Sequence, residues 1–153
     1  MNSFSHLWAV VPVGCCLGLL LGCGDGSTPA PQSARETAVA LKLAGLQYGE
    51  YVAANNGAPP KDLESFRKFL ESRLADLVNY NVKSADDVLS SRRDGQPFAL
   101  ICGKKVVDPD QPDLLWAAYE QTGVDGNRLA ANVRGGVVEL SAEEFARRIR
   151  GVP

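Results

Sequence analysis

The chain has 153 residues and a nearly balanced charge, with 16 basic and 18 acidic residues and a formal net charge of −2. It contains no long basic run, which argues against a nucleic acid partner, because proteins that bind phosphate backbones cluster Lys and Arg. The single histidine is His6. If residues 1–22 are removed as a signal peptide, as argued below, the mature chain contains no histidine. It can then form no Ser-His-Asp triad, no Cys-His dyad and no histidine-based zinc site.

An uncharged, largely apolar run follows, from Leu7 to Leu21. It is shorter than the ~20 apolar residues that a membrane-spanning helix needs, and it contains proline and glycine, which favours the core of a secretory signal. The run ends in Leu20-Leu21-Gly22-Cys23, which resembles the cleavage site of a bacterial lipoprotein signal. The resemblance implies cleavage before Cys23 and attachment of lipid to its sulfur.

The compartment follows from the same resemblance. It implies a protein of the bacterial cell envelope that is held at a membrane by lipid on Cys23 and faces the periplasm or the exterior. An ordinary cleaved signal and an uncleaved anchor remain as alternatives, because residues 1–6 contain no Lys or Arg, whereas secretory signals usually carry positive charge there.

Three segments are therefore expected: a signal peptide over residues 1–22, a flexible tether over 23–32 and a single domain over 33–153. The tether contains Gly, Ser, Thr and Pro without apolar periodicity, as flexible linkers do. The remainder is long enough for one domain with its own core. Cys102 is the only cysteine after Cys23, so the processed chain can form no intramolecular disulfide.

Two helices are predicted at the start of this domain. Ser33 and Glu36 form a capping-box pattern, which predicts a helix beginning at Ser33 and ending near Asn55-Asn56-Gly57. Its apolar stripe comprises Ala38, Leu41, Ala44, Tyr48 and Val52, widened by Val39, Leu43 and Leu46. A second amphipathic helix is predicted from about Lys61 to about Leu77.

Strand signals dominate the second half of the chain. Ser84 to Asp87 is typical of a capped single helical turn, and short strands are predicted over residues 98–102, 114–121, 128–133 and 137–140. Turns at Asp125-Gly126 and at Gly135-Gly136 indicate an antiparallel meander. Another capping box at Ser141 opens a last helix. The expected fold is α+β, with N-terminal helices packed on a small antiparallel β-meander and a C-terminal helix.

Three stretches resemble pilin-like and pseudopilin-like proteins: residues 41–51 with the Asn-Gly-Ala-Pro-Pro that follows, residues 91–98, and residues 119–138. The resemblance implies a long N-terminal helix lying on a small antiparallel sheet. The chain lacks the family's Gly-Phe-type peptidase site and its long apolar assembly helix. If the resemblance holds, lipid replaces that helix, and polymerisation does not carry over.

Several side chains are candidates for chemistry. The loop from Asp108 to Asp113, with Asp125, offers oxygen ligands for calcium, but the spacing matches no EF-hand and ordinary loop composition is the simpler explanation. Cys102 is expected to be a buried, inert thiol. The acid pairs Asp86-Asp87 and Glu143-Glu144 have the residue types of a glycosidase, but helix capping is the simpler explanation.

The aromatic residues Trp116 and Tyr119 are expected on opposite faces of one strand, because side chains alternate along a strand. Trp116 is expected in the core.

The sequence thus favours a non-enzymatic envelope lipoprotein that acts as a tethered interaction or scaffold module. We expect no cofactor, no metal ion and no catalytic residue, a monomer, and an envelope protein as the partner. A small-ligand or calcium-dependent binding module of the envelope is the alternative, and a carboxylate-dependent enzyme acting on the cell wall is a third hypothesis.

Overall fold

The computed structural model describes residues 30–149, so the predicted signal, Cys23 and most of the predicted tether lie outside the described residues. Within that range it contains five α-helices, one 3-10 helix (Val78–Tyr80) and five strands: α1 (Gln32–Ala54), α2 (Leu63–Ser72), α3 (Leu74–Leu77), α4 (Ala85–Leu89), β1 (Phe98–Leu100), β2 (Val106–Asp108), β3 (Gln111–Glu120), β4 (Arg128–Asn132), β5 (Val137–Leu140) and α5 (Ala142–Arg148). The predicted α+β class is confirmed.

The start of α1 differs from the prediction. Pro31 precedes the first helical residue, and no side chain caps the helix. The capping box predicted at Ser33 is therefore wrong, because the helix begins one residue earlier and places Ser33 inside its first turn. Gln32 instead donates to the Glu36 carboxylate at 2.7 Å. The predicted end is correct: Gly57 has a φ of 83°, and its N–H donates to the Val52 carbonyl at 2.8 Å.

The predicted second helix is divided into two pieces. Asp62 caps α2 reciprocally with Ser65, and the helix ends before Arg73, where α3 starts after a break. At the break the Ser72 hydroxyl donates to the Phe69 carbonyl at 2.7 Å, which competes with the helical hydrogen bond. Reciprocal capping boxes at Ser84 and Ser141 open α4 and α5, as predicted.

The sheet is antiparallel and is organised around β3. One edge of β3 pairs with β4, which pairs with β5, while β1 and β2 share the other edge. Three of the predicted strands lie close to the observed β1, β4 and β5, and the fourth, over residues 114–121, overlaps most of the longer β3. Strand β2 was not predicted.

A bulge at Ala117 overturns one prediction about β3. Trp116 pairs with Asn132, but Ala118 pairs with Ala131, so Ala117 is an extra residue in the strand. After the bulge, each side chain of β3 points to the face opposite to the one that regular alternation would give it. Trp116 and Tyr119 consequently share one face and one apolar cluster instead of lying on opposite faces. Trp116 lies in the core, as expected, with 1% of its surface exposed.

The sheet is covered on both faces. Ala117 and Ala118 pack with buried residues of α1 on one face. On the other face, Trp116 and Tyr119 pack with Phe145 and Ile149 at α5, where the rings of Tyr119 and Phe145 meet edge to face with centroids 4.9 Å apart.

Two glycines bring the backbone of α1 directly onto the sheet. A Cβ atom at Gly49 would lie 2.5 Å from the Val133 carbonyl oxygen, and one at Gly45 would lie still closer to the carbonyl oxygen of Asn132. The helix and the end of β4 therefore leave no room for a side chain at these two positions. This close approach fixes the position of α1 along the strand.

Substitution of Gly45 by alanine tests this contact. Alanine favours an exposed helix by about 1 kcal/mol over glycine, but here its methyl group must displace the backbone of β4, so we expect a net loss of about 1–3 kcal/mol. The measurement is urea unfolding of the purified protein. Lys42→Ala, at an exposed position of the same helix, is the control and should change stability by less than about 0.5 kcal/mol. Equal stability of Gly45→Ala and the control would contradict the packing.

Candidate functional site

A groove lies between the first half of α1 and residues 80–83. It has a volume of about 620 Å³ and is open to solvent. We call it the α1 groove. Its walls are Arg35, Glu36, Val39, Ala40 and Leu43 from α1, residues 80–83 opposite them, and Asp87 and Arg92 at one end.

The rim of the α1 groove exposes apolar side chains. Tyr80 is 60% exposed and Val39 is 52% exposed. Val78, in the same short 3-10 turn as Tyr80, is 64% exposed. Val39 was predicted to widen the buried stripe of α1, but it lines the open groove instead. An exposed tyrosine and an exposed valine give the groove a contact surface that is both apolar and capable of hydrogen bonding.

The acidic groups of the α1 groove already have partners. The Asp87 carboxylate accepts hydrogen bonds from the backbone N–H groups of Lys83 and Ser84, and it forms an ion pair with Arg92 at 3.3 Å. These bonds, led by the one from Lys83, hold the pKa of Asp87 below its ordinary value. Glu36 accepts from Gln32. Both carboxylates are thus partly neutralised or hydrogen-bonded within the domain.

Two basic side chains of the α1 groove have no carboxylate partner in the described residues. Within residues 30–149, neither Arg35 nor Lys83 lies within 4.0 Å of a carboxylate oxygen. The guanidinium of Arg35 donates to the Ala30 carbonyl at 2.9 Å, which leaves its charge unneutralised. The groove therefore offers positive charge to a ligand, although its walls also contain the carboxylates of Glu36 and Asp87.

A buried polar network lies next to the start of α1. Glu120 is fully buried, and its carboxylate accepts from the Ser91 hydroxyl and from the Leu129 N–H, each at 2.9 Å. The Ser91 hydroxyl oxygen lies 3.5 Å from that of Thr37 on α1. The hydrogen bond between Ser91 and Glu120 holds the 91–97 turn to the sheet. Because both side chains are buried, the network offers no reactive group to a substrate.

Arg93 supplies the counter-charge for this network. Its Nε lies 3.7 Å from the Glu120 carboxylate, and its guanidinium contacts Glu139 at 2.7 Å and donates to the Asn127 carbonyl at 3.1 Å. The sequence analysis did not identify Arg93 as a partner of the sheet. The signal that could have indicated one is Glu120, a carboxylate directly after the apolar run from Leu114 to Tyr119.

Two of the four aspartates proposed as calcium ligands, Asp108 and Asp110, are bound by arginines. Arg147 contacts Asp110 through two hydrogen bonds of 2.6 and 2.7 Å, and these hold the pKa of Asp110 below its ordinary value. Arg148 pairs with the fully buried Asp108. The two pairs fasten α5 to the β2–β3 turn. A calcium ion at this loop would have to displace both guanidinium groups.

The remaining candidates fall into structural roles. Asp87 and Glu144 close the capping boxes of α4 and α5, and Asp86 forms an ion pair with Arg67 at 2.8 Å. The backbone N–H of Ser141 lowers the pKa of Glu144. Cys102 is half-buried rather than buried, and burial followed by the charge of Asp62 raises its thiol pKa. A raised pKa disfavours the thiolate that a nucleophile needs.

No group of three or more His, Cys, Asp or Glu side chains suited to a metal ion occurs within residues 30–149. Among the helices of the described range, none is long and apolar enough to cross a membrane. No family model, curated protein or solved structure matches the chain.

The buried network yields a test on a matched pair of carboxylates. Glu120 and Glu139 both contact Arg93, but Glu120 has no exposed side-chain surface whereas Glu139 is 49% exposed. Glu120→Gln leaves the Leu129 N–H or the arginine without its charged acceptor, so we expect a loss of about 1–3 kcal/mol in chemical unfolding. Glu139→Gln should cost less than about 1 kcal/mol. Equal losses would show that burial of Glu120 contributes nothing.

Proposed function

We propose that the protein is a lipid-anchored, non-enzymatic lipoprotein of the bacterial cell envelope, in which the described domain acts as a tethered interaction or scaffold module. The observation that carries this proposal is the sequence Leu20-Leu21-Gly22-Cys23 at the end of an uncharged apolar run. Three of the four carboxylates considered for catalysis support it, because Asp87 and Glu144 cap helices and Asp86 forms an ion pair. The cysteine after the anchor has a raised pKa.

The length of the tether supports membrane placement of the domain. Residues 24–29 separate Cys23 from Ala30, the first described residue. An extended chain spans at most ~3.6 Å per residue, so Ala30 would lie within about 25 Å of the lipidated cysteine. The domain would then work close to the membrane surface, where an envelope protein partner could contact it.

The pilin-like relationship belongs to the same proposal. Residues 91–98 and 119–138, two of the stretches that carry the resemblance, lie side by side around Ser91 and Glu120. We propose that they represent a pilin-like arrangement in which lipid has replaced the assembly helix. The domain would be a monomer presented on its tether rather than a subunit of a fibre.

Replacement of Cys23 by alanine tests the anchor. We expect incorporation of labelled palmitate to be abolished, because the substitution removes the sulfur that carries diacylglycerol. The protein should also appear either as a slower-migrating precursor or, if another peptidase cleaves it, as a soluble form. Cys102→Ala is the control and should label like the wild type. Equal labelling of Cys23→Ala and wild type would refute the proposal.

Thermal melting in millimolar CaCl₂ or EDTA distinguishes the calcium-dependent alternative. A ligand that binds only the native state raises its stability in proportion to ln(1 + [L]/Kd). Because Arg147 and Arg148 occupy the carboxylates of Asp110 and Asp108, we expect the same melting temperature in both buffers. A rise with calcium that disappears in Asp110→Asn would favour the binding module instead.

A further inference from the structure

We propose that the α1 groove docks onto the anionic phospholipid headgroups of the membrane that holds the anchor. This inference rests on the proposed lipidation of Cys23 and adds a second, non-covalent contact. It makes the domain lie against the membrane on one defined side rather than hang freely from its tether.

The tether enters the domain at the rim of this groove. The guanidinium of Arg35, which lines the groove, donates to the carbonyl of Ala30, where the described chain begins. The groove walls from Arg35 to Leu43 follow within the next turns of α1, a span of about 12 Å at a rise of ~1.5 Å per residue. Lipid at Cys23 would therefore keep the groove within reach of the headgroup layer.

Contacts along α1 show which end of the domain is near the anchor. Thr37, in the early part of the helix, lies beside the Ser91–Glu120 network at the end of β3. Gly49, farther along, lies against Val133, whose N–H donates to the Leu115 carbonyl of β3. Residues at the level of Leu115, including its β2 partner Val107, are therefore at the end away from the tether.

The chemistry of the groove fits a headgroup layer. Arg35 and Lys83 offer cations without a carboxylate partner in the described structure, and phosphate groups accept hydrogen bonds from both residue types. Tyr80 is highly exposed, and tyrosine is enriched where apolar lipid meets water. Val39, which also lines the groove, adds exposed apolar area. A purely apolar partner would leave the two cations desolvated without compensation.

Docking of this groove leaves the opposite end of the domain accessible. That end carries β2 and the β4–β5 turn, and it would face away from the lipid, towards an envelope protein. The groove and the partner surface would then lie at different ends of α1.

Site-specific quenching tests the docking. The lipidated protein, processed to begin at Cys23, is purified from membranes and reconstituted into vesicles of phosphatidylethanolamine with brominated phosphatidylglycerol. Tyr80→Trp places a reporter in the groove, and Val107→Trp places one at the far end on another exposed residue, 44% exposed. The native Trp116 is buried and gives the same background in both proteins. We expect loss of emission from Tyr80→Trp and little loss from Val107→Trp.

Charge variants in the Tyr80→Trp background test the headgroup contact. Lys83→Glu and Arg35→Glu should restore much of the emission, whereas Lys42→Glu, at an exposed position of α1 outside the groove, should not. Brominated phosphatidylcholine should quench the reporter less than brominated phosphatidylglycerol. Val39→Trp is a second reporter and should respond like Tyr80→Trp, and circular dichroism confirms that each variant is folded.

The possible outcomes separate the two proposals. Selective, charge-dependent quenching of the groove reporters supports the docking. Equal quenching at residues 80 and 107, no quenching, or quenching that is independent of lipid charge overturns it, while the anchor still stands if the protein floats with the vesicles. Wild-type protein that does not float with vesicles overturns the lipid anchor and the docking with it.

Discussion

The packing of the α1 backbone against the end of β4 is the constraint on which the other layers depend. Gly45 and Gly49 allow the helix to approach the carbonyl groups of Asn132 and Val133 more closely than any side chain would permit. At that separation, small residues such as Ala117, Ala118 and Ala131 fill the space beneath the helix. A larger residue on either side would raise the helix and expose this alanine layer to water. Backbone proximity therefore determines the composition of the core.

The second face of the sheet is organised by a different principle. The bulge at Ala117 places Trp116 and Tyr119 on the same side, where they form a platform for the short helix α5. A helix of two turns has little stability of its own, so its position must come from tertiary contacts. Arg148 provides one by lying over the Trp116 ring at 5.1 Å while it pairs with Asp108. The aspartates that resembled metal ligands are thus part of the packing of α5.

The sequence was sufficient for features encoded by neighbouring residues. Helical periodicity, the capping boxes at Ser84 and Ser141 and the glycine turns predicted most elements and the α+β class. It failed where a residue's environment depends on distant partners. A bulge has no local signal among three apolar residues, so Tyr119 was placed on the wrong face. The α1 groove could not be predicted because Arg35 and Lys83 line one groove only when residues 80–83 fold back against the helix. Glu120 was identifiable as unusual, but its partners Ser91 and Arg93 were not.

The fixed position of α1 on the sheet would determine which side of the domain the proposed tether holds near the membrane. Because the helix cannot slide on the sheet, the point where the tether enters and the groove beside it keep a fixed relation to the rest of the domain. Lipid at Cys23 would confine the groove to a thin layer next to the headgroups, which raises the effective concentration of the two surfaces for each other. Weak contacts through Arg35, Lys83 and Tyr80 would then suffice to orient the domain, although the same contacts would not hold an untethered protein at the membrane. Anchoring and orientation would therefore be separable: the first would depend on the sulfur atom of Cys23, and the second on the α1 groove.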